Sequence, residues 1–140
     1  MRVVLDTNVL LSALISSHGA PDTIYRAWRA AKFELVTSTA QLEELRRVSR
    51  YPKLKAILPP HRVGAMVNNM QRAIMLEHLP NLPDGVELND PNDAFLFTMA
   101  LAGQANYLVT GDRRAGLLAQ GNAGSARIVT PATFCDEALR

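Results

Sequence analysis

Four acidic residues stand where predicted strands end or predicted helices begin. Asp6 follows the apolar run VVL, and Asp112 follows the strand-like run YLVT by two residues, in the sequence TGD. Glu44 lies in the first turns of the helix after FELVT, and Asp93 lies in the first turn of the helix that DPND opens. Because ligands of open α/β sheets gather outside the carboxyl ends of the strands, the pattern predicts one shared cleft.

Carboxylates that share a pocket must either take up protons or hold cations. Two unit charges ~4–5 Å apart repel by roughly 3–4 kcal/mol at an effective dielectric constant near 20. Oxygen ligands alone favour Mg²⁺ or Mn²⁺ over zinc. Such a metal would allow an acidic site to accept a phosphodiester, since it activates water and stabilises charge on the phosphate. Each acid taken alone has an ordinary explanation as a turn, a helix N-terminus or a solvated side chain.

The elements that must position these acids alternate between strands and helices. We predict strands over residues 3–6, 33–37, 86–88, 107–110 and 127–130, and helices after residue 8 and over 22–31, 61–78 and 113–120. A further helix opens at Ser38, where Gln41 completes a capping-box pattern, and stops before Pro52. Asp90 caps a helix that Gly103 ends, and Thr130 precedes the last helix. This alternation predicts a three-layer α/β/α domain with a mostly parallel sheet of about five strands.

The composition fits a single globular domain over residues 1–140. Hydrophobic residues make up 48% and charged residues 20%, which argues against global disorder. The single cysteine, Cys135, excludes an internal disulfide and a cysteine-based zinc cluster, and it suits a cytoplasmic protein. The uncharged run 94–111 is interrupted by Gly103, Gln104 and Asn106, so we expect a buried helix, a turn and a strand, and no membrane partner.

A basic tract separates the second and third acids. No acidic residue occurs between Arg46 and Leu76, whereas seven positions are basic: Arg46, Arg47, Arg50, Lys53, Lys55, Arg62 and Arg72. Such a tract can attract phosphate backbones, although an ordinary solvated face has the same composition.

Taken together, LDTN, EEL, DPNDAFLFTMALA and YLVTGD resemble the motifs of the PIN-domain ribonucleases, in family order and over essentially the whole chain. The resemblance implies a metal-dependent endoribonuclease that cuts single-stranded RNA with Mg²⁺ or Mn²⁺. By position, the family's acidic site falls on Asp6, Glu44, Asp93 and Asp112, and its small polar supporting residues fall on Asn8 and Thr110. Arg46, Arg50 and Arg113 are then candidates for RNA contacts.

Within that family the chain is most similar to the VapC-like toxins of type II toxin–antitoxin pairs. This resemblance implies a homodimer and a small cognate antitoxin that occupies the active cleft. The methionine-bearing helix predicted over 61–78 is a candidate contact surface, with a core role for its methionines equally open.

Two positions have competitors, and one departs from the family. Glu43 precedes Glu44, but the family pattern places the acid directly before Leu45. Asp90 competes with Asp93, which heads the inward helix. Many members carry an acid two residues after the TGD aspartate, where this chain has Arg114.

Rival functions fit less well. A phosphatase that opens a strand with Asp-x-Asp needs an acid where Asn8 stands, and a phosphorylatable receiver domain needs a late lysine, yet none follows Lys55. The remaining alternative is a catalytically silent PIN-like module that binds RNA or protein. The intact acidic quartet argues against it, because a site that only binds has no use for clustered repulsion.

Overall fold

A six-stranded sheet crosses the part of the chain that the computed structural model describes, residues 1–111 and 116–140. The strands are β1 (Arg2–Leu5), β2 (Glu34–Ser38), β3 (Ile74–Leu76), β4 (Tyr107–Val109), β5 (Asn122–Ala123) and β6 (Ala126–Val129). The helices are α1 (Thr7–Ile15), α2 (Ala20–Arg29), α3 (Thr39–Ser49), α4 (Pro52–Lys55), α5 (Pro60–Met70), α6 (Pro91–Ala102), α7 (Gly116–Gln120) and α8 (Pro131–Ala138). Asp112, Arg113 and Arg114 lie outside the described residues.

The strand order is β3-β2-β1-β4-β6-β5, and every adjacent pair is parallel except β5 with β6. From β1 the chain adds β2 and β3 on one side, and then β4 and β6 on the other. The direction of winding therefore reverses between β1 and β4. Such a reversal opens a crevice at the carboxyl ends of the two strands, where α/β proteins bind ligands.

Two hydrophobic cores lie on opposite faces of the sheet, since successive side chains of a strand alternate in direction. In β1, Val3 and Leu5 join one core, and Val4 joins the other. The first core takes buried residues from α1, α2, α3, α5 and α8, whereas the second takes them from α6 and α7. The predicted three-layer α/β/α fold with a mostly parallel sheet is confirmed, with six strands where about five were expected.

The helix predicted over 61–78 is confirmed only as far as Met70, and the strand predicted over 86–88 is wrong. The helix ends at Met70, and Ile74–Leu76 forms edge strand β3, parallel to β2. The apolar residues of β3 happen to continue the helical spacing of α5. Periodicity alone cannot show whether such a short apolar run is a helix or a strand. Residues 86–88 have no regular structure, although Val86 and Leu88 still pack on the second core.

Most helix ends follow the predicted caps. The side chains of Ser38, Asp90 and Thr130 accept hydrogen bonds from backbone N–H groups of the first turns of α3, α6 and α8. Gly103 is the C-cap of α6 and lies against β2, where an added Cβ would meet Val36 Cγ1 at 2.6 Å. Among the described residues, no helix is both long and apolar enough to cross a membrane.

Candidate active site

Asp6 lies at the winding reversal, directly after β1. Its backbone N–H donates to the Val109 carbonyl at 2.9 Å, which ties it to the end of β4. Its Oδ1 accepts the backbone N–H of Asn8 at 3.1 Å, and its Oδ2 accepts the Thr110 hydroxyl at 2.8 Å. With only 7% of its surface exposed, Asp6 is both the N-cap of α1 and a fixed carboxylate at the crevice.

The two predicted supporting residues contact Asp6 in different ways. Thr110 is fully buried, and its side-chain hydroxyl donates to Asp6 across the boundary between β1 and β4. Asn8 uses its backbone N–H, and its exposed side chain instead lines a cavity of about 240 Å³ with Ser12, Gly111 and Pro131. The sequence motif therefore marked both residues, but it did not distinguish these modes of contact.

Glu44 is buried on α3, whereas the neighbouring Glu43 is exposed. Burial raises the pKa of the Glu44 carboxyl above its ordinary value, and the negative charges of Asp6 and Asp90 raise it further. A hydrogen bond from the Thr7 side chain and the positive charge of Arg47 act in the opposite direction. Of the two adjacent glutamates, Glu44 is thus the one that faces the other acids.

Asp93 and Asp90 occupy different positions at the start of α6. Asp90 is exposed, and its Oδ1 accepts the backbone N–H of Asn92 at 2.9 Å as the N-cap. Asp93 is 7% exposed and lies in the first turn, where the helix dipole favours a negative charge. Three of the four predicted acids are described, and all three are buried. Asp6 follows β1, Glu44 lies on α3, and Asp93 lies in the first turn of α6. The fourth, Asp112, lies outside the described residues.

Gln41, which the sequence marked only as part of a capping-box pattern, connects the elements that carry Asp6 and Glu44. Gln41 is fully buried, and its Nε2 donates to the Leu5 carbonyl at 2.6 Å and contacts Thr7 Oγ1 at 3.4 Å. Its predicted capping-box role is wrong, because its side chain reaches β1 rather than the backbone of Ser38. Only the backbone N–H of Gln41 bonds to the Ser38 hydroxyl, at 3.0 Å.

A basic groove of about 580 Å³ lies between α3, α4 and α5. Arg46, Arg50 and Lys55 line it together with the apolar side chains of Leu58 and Val67. Within the described chain, none of these three basic residues forms an ion pair with an acid. Because Arg46 follows Glu44 by two positions, it points to another face of α3, about one helix width or ~10 Å from the acids.

The PIN domain family model matches residues 2–114, which is most of the chain. The chain belongs to the PIN-domain family. No curated protein matches this PIN domain. PIN domains are generally nucleases and typically use divalent metals. The matched region contains β1, α3, α6 and the TGD sequence, and so all four of the predicted acids.

The donor set of this PIN domain fits a hard divalent cation. Asp6, Glu44 and Asp93 offer only carboxylate oxygens, and the pKa of Glu44 is raised first by burial and then by the negative charge of Asp6. Among residues 1–111 and 116–140, no three acidic, histidine or cysteine side chains are grouped closely enough to hold a metal ion by themselves. Asp112, the fourth acid that the family resemblance assigns to this site, lies outside the described residues.

Replacing Glu44 by glutamine should stabilise the metal-free PIN domain near neutral pH. Because the folded protein holds the Glu44 proton more tightly than the unfolded chain does, ionisation of Glu44 costs folding free energy. Well below pH 4.5, the ordinary pKa of glutamate, the carboxyl is protonated in both states and this cost is absent. The cost grows as the pH rises from the ordinary pKa to the raised pKa of the folded state, and it stays constant at higher pH. Thermal unfolding in EDTA should give a higher Tm for Glu44→Gln than for wild type at neutral pH, and no gain at low pH. An equal change from exposed Glu43→Gln would contradict this account.

Proposed function

We propose that this protein is an endoribonuclease that depends on Mg²⁺ or Mn²⁺ and cuts single-stranded RNA. The observation that carries the proposal is the Asp6 carboxylate, held by Thr110 across the β1–β4 reversal, with Glu44 close enough to feel its charge. Buried carboxylates near one another offer the oxygen ligands that a hard divalent cation prefers. Membership of a family of nucleases supports this interpretation.

In the proposed mechanism, Asp6, Glu44, Asp93 and Asp112 hold one or two cations, directly or through water. When bound, the metal supplies an activated water and positive charge for the phosphate. The Thr110 hydroxyl donates to one oxygen of Asp6 and the backbone N–H of Asn8 donates to the other, and these two bonds fix the orientation of the carboxylate. The hydroxyl of Thr7 similarly orients Glu44. By family resemblance the products carry 5′-phosphate and 3′-hydroxyl ends.

The deciding experiment incubates the purified protein with defined single-stranded and duplex RNAs, with Mn²⁺, with Mg²⁺ and with EDTA. We expect cleavage of single-stranded RNA with either metal, and none in EDTA. Cleavage that persists in EDTA would show that the metal role is wrong. Binding of RNA without cleavage under every condition would favour the alternative, a catalytically silent PIN-like binding module.

The basic groove is our candidate for holding the RNA strand beyond the cut, with Arg113 as a third possible contact. Removing two groove charges in the Arg46→Ala, Arg50→Ala double variant should weaken RNA binding and flatten its salt dependence. For single strands, each lost phosphate contact reduces the slope of log K against log salt by about 0.7, so two contacts reduce it by about 1.4.

The matched control is the Arg29→Ala, Lys32→Ala double variant, which removes the same charge outside the groove. Fluorescence anisotropy with a labelled RNA, at several salt concentrations in EDTA, measures both slopes. Equal slopes for the two double variants would mean that only net charge matters, and the groove would lose its assigned role.

We further propose that the protein is a toxin of the VapC-like kind, a cytoplasmic homodimer neutralised by a small antitoxin. The similarity of the motifs supports this, but the methionines do not mark the dimer surface. Met66 and Met70 are fully buried on α5, so they belong to the core. Light scattering that finds only monomers at micromolar concentration would count against the dimer, and expression without growth arrest would count against the toxin role.

A further inference from the structure

Gln41 joins the two elements that carry Asp6 and Glu44. It lies on α3, one turn before Glu44, and its Nε2 donates to the Leu5 carbonyl at 2.6 Å and more weakly to Thr7 Oγ1 at 3.4 Å. Leu5 and Thr7 are the two neighbours of Asp6 in the chain. The ladder between β1 and β2 ends at the Val4–Val36 pair, so Gln41 supplies the link between β1 and α3 beyond the end of that ladder.

The direction of each hydrogen bond around Gln41 follows from the partners. A backbone carbonyl only accepts, so the atom that faces Leu5 must be the amide nitrogen. Oε1 then faces the hydroxyl of Thr37, which must donate to it, at 2.7 Å. Thr7 Oγ1 receives a hydrogen from Gln41 at 3.4 Å, and a hydrogen bond from the Thr7 side chain acts to lower the pKa of Glu44. Thr37, Gln41 and Thr7 are therefore linked in one donor-to-acceptor direction, from β2 to the residue after Asp6.

We propose that Gln41 is a positioning residue that sets the separation and orientation of the Asp6 and Glu44 carboxylates. The proposal rests on the proposed function, in which these two carboxylates hold a divalent cation together. Gln41 does not contact the cation in this proposal. It acts through the peptide before Asp6 and through the hydroxyl of Thr7. Partners of this kind behind metal ligands typically change metal affinity 10- to 100-fold when they are removed.

A purely structural role for Gln41 would affect stability but not cation affinity. The test compares Gln41→Met, which keeps the length of the side chain without its hydrogen bonds, with Thr98→Val. Thr98 is also buried, and its hydroxyl donates to the backbone carbonyl of Phe95 at 2.9 Å. Thr98→Val therefore removes a comparable buried hydrogen bond at a place away from the acids. Titration calorimetry with Mn²⁺, on variants shown to be folded, should find binding weakened by about tenfold or more for Gln41→Met. Thr98→Val should bind as wild type does.

A double-mutant cycle tests whether Gln41 acts through Thr7. Thr7→Val should weaken Mn²⁺ binding, and the double variant with Gln41→Met should lose less than the product of the two single effects. If the two single effects on Mn²⁺ affinity simply multiply in the double variant, Gln41 does not act through Thr7. If Gln41→Met does not fold, Thr37→Val removes only the donor that orients the amide, and it should weaken Mn²⁺ binding in the same direction.

Crystal structures of the metal-free wild type and the Gln41→Met or Thr37→Val variant give a readout that needs neither metal nor activity. We expect the separation between the Asp6 and Glu44 carboxylates in the variant to differ from that in wild type. Absence of Mn²⁺ binding by wild type would overturn the proposed function, and the positioning role would then be decided by the crystal structures. An unchanged separation of the two carboxylates, or unchanged Mn²⁺ affinity in Gln41→Met, would overturn the positioning role itself.

Discussion

Replacing Asp6 by asparagine is expected to lower metal-dependent RNA cleavage by roughly 100- to 1,000-fold, because a metal site that loses a charged ligand loses several kcal/mol of transition-state stabilisation. The fold should persist. Asparagine caps helices about as well as aspartate, so α1 keeps its N-cap. Its amide can also still bond to the Thr110 hydroxyl. Initial cleavage rates with Mn²⁺, together with thermal unfolding of the same samples, separate the loss of function from any loss of structure.

The start of α6 supplies the matched control for this experiment. Asp93→Asn should reduce cleavage as strongly as Asp6→Asn, whereas Asp90→Asn makes the same chemical change at the exposed N-cap and should leave cleavage almost unaltered. If Asp90→Asn is as damaging as Asp93→Asn, the assignment of the two aspartates must be reversed. If all three variants cut RNA as wild type does, the acidic site is not the catalytic site.

Phe134→Ala is expected to lower the free energy of unfolding by about 3–5 kcal/mol, a large share of the stability of an ordinary domain. Phe134 is fully buried, and its ring packs edge-on against the rings of Phe33 and Tyr107. The distances between ring centroids are 5.6 Å to Phe33 and 5.1 Å to Tyr107. Its helix, α8, lies beyond the residues that match the family. A large loss would show that this helix belongs to the same cooperative unit as the matched region.

Denaturant unfolding followed by circular dichroism measures this loss. On the same helix, Asp136→Ala removes an exposed ion pair with Arg140, and it should change the free energy of unfolding by well under ~1 kcal/mol. A Phe134→Ala loss of that small size, or a separate transition for the C-terminal segment, would contradict the single domain predicted from the sequence.

The parts of the fold that local rules control could be predicted from the sequence. Ser38, Asp90 and Thr130 cap helices through bonds that span two or three residues, so a short window contains all the information. The edge strands could not be predicted in this way. β5 has two residues and β3 has three, too few for a periodic pattern, and their pairing partners decide their structure.

The candidate site likewise contains residues that could be predicted from the sequence and residues that could not. Asp6 and Asp93 follow from their places at a strand end and in a first helical turn. The role of Gln41 could not be read in advance, because its amide bonds to a carbonyl 36 positions away and its local pattern suggested a capping box instead. The choice of Glu44 over Glu43 came from the family pattern, and its physical reason, the burial of the Glu44 face of α3, is visible only in the structure.

The bond between Thr110 and Asp6 joins residues that are 104 positions apart, and this separation has a consequence for synthesis. A ribosome adds roughly 5–20 residues per second, so Asp6 precedes its partner by roughly 5 to 20 seconds. During that interval β1 lacks its neighbour β4, and the crevice between them does not exist. On the proposed function, the cleft that cuts RNA therefore cannot form before Thr110 has been synthesised and β4 has docked beside β1.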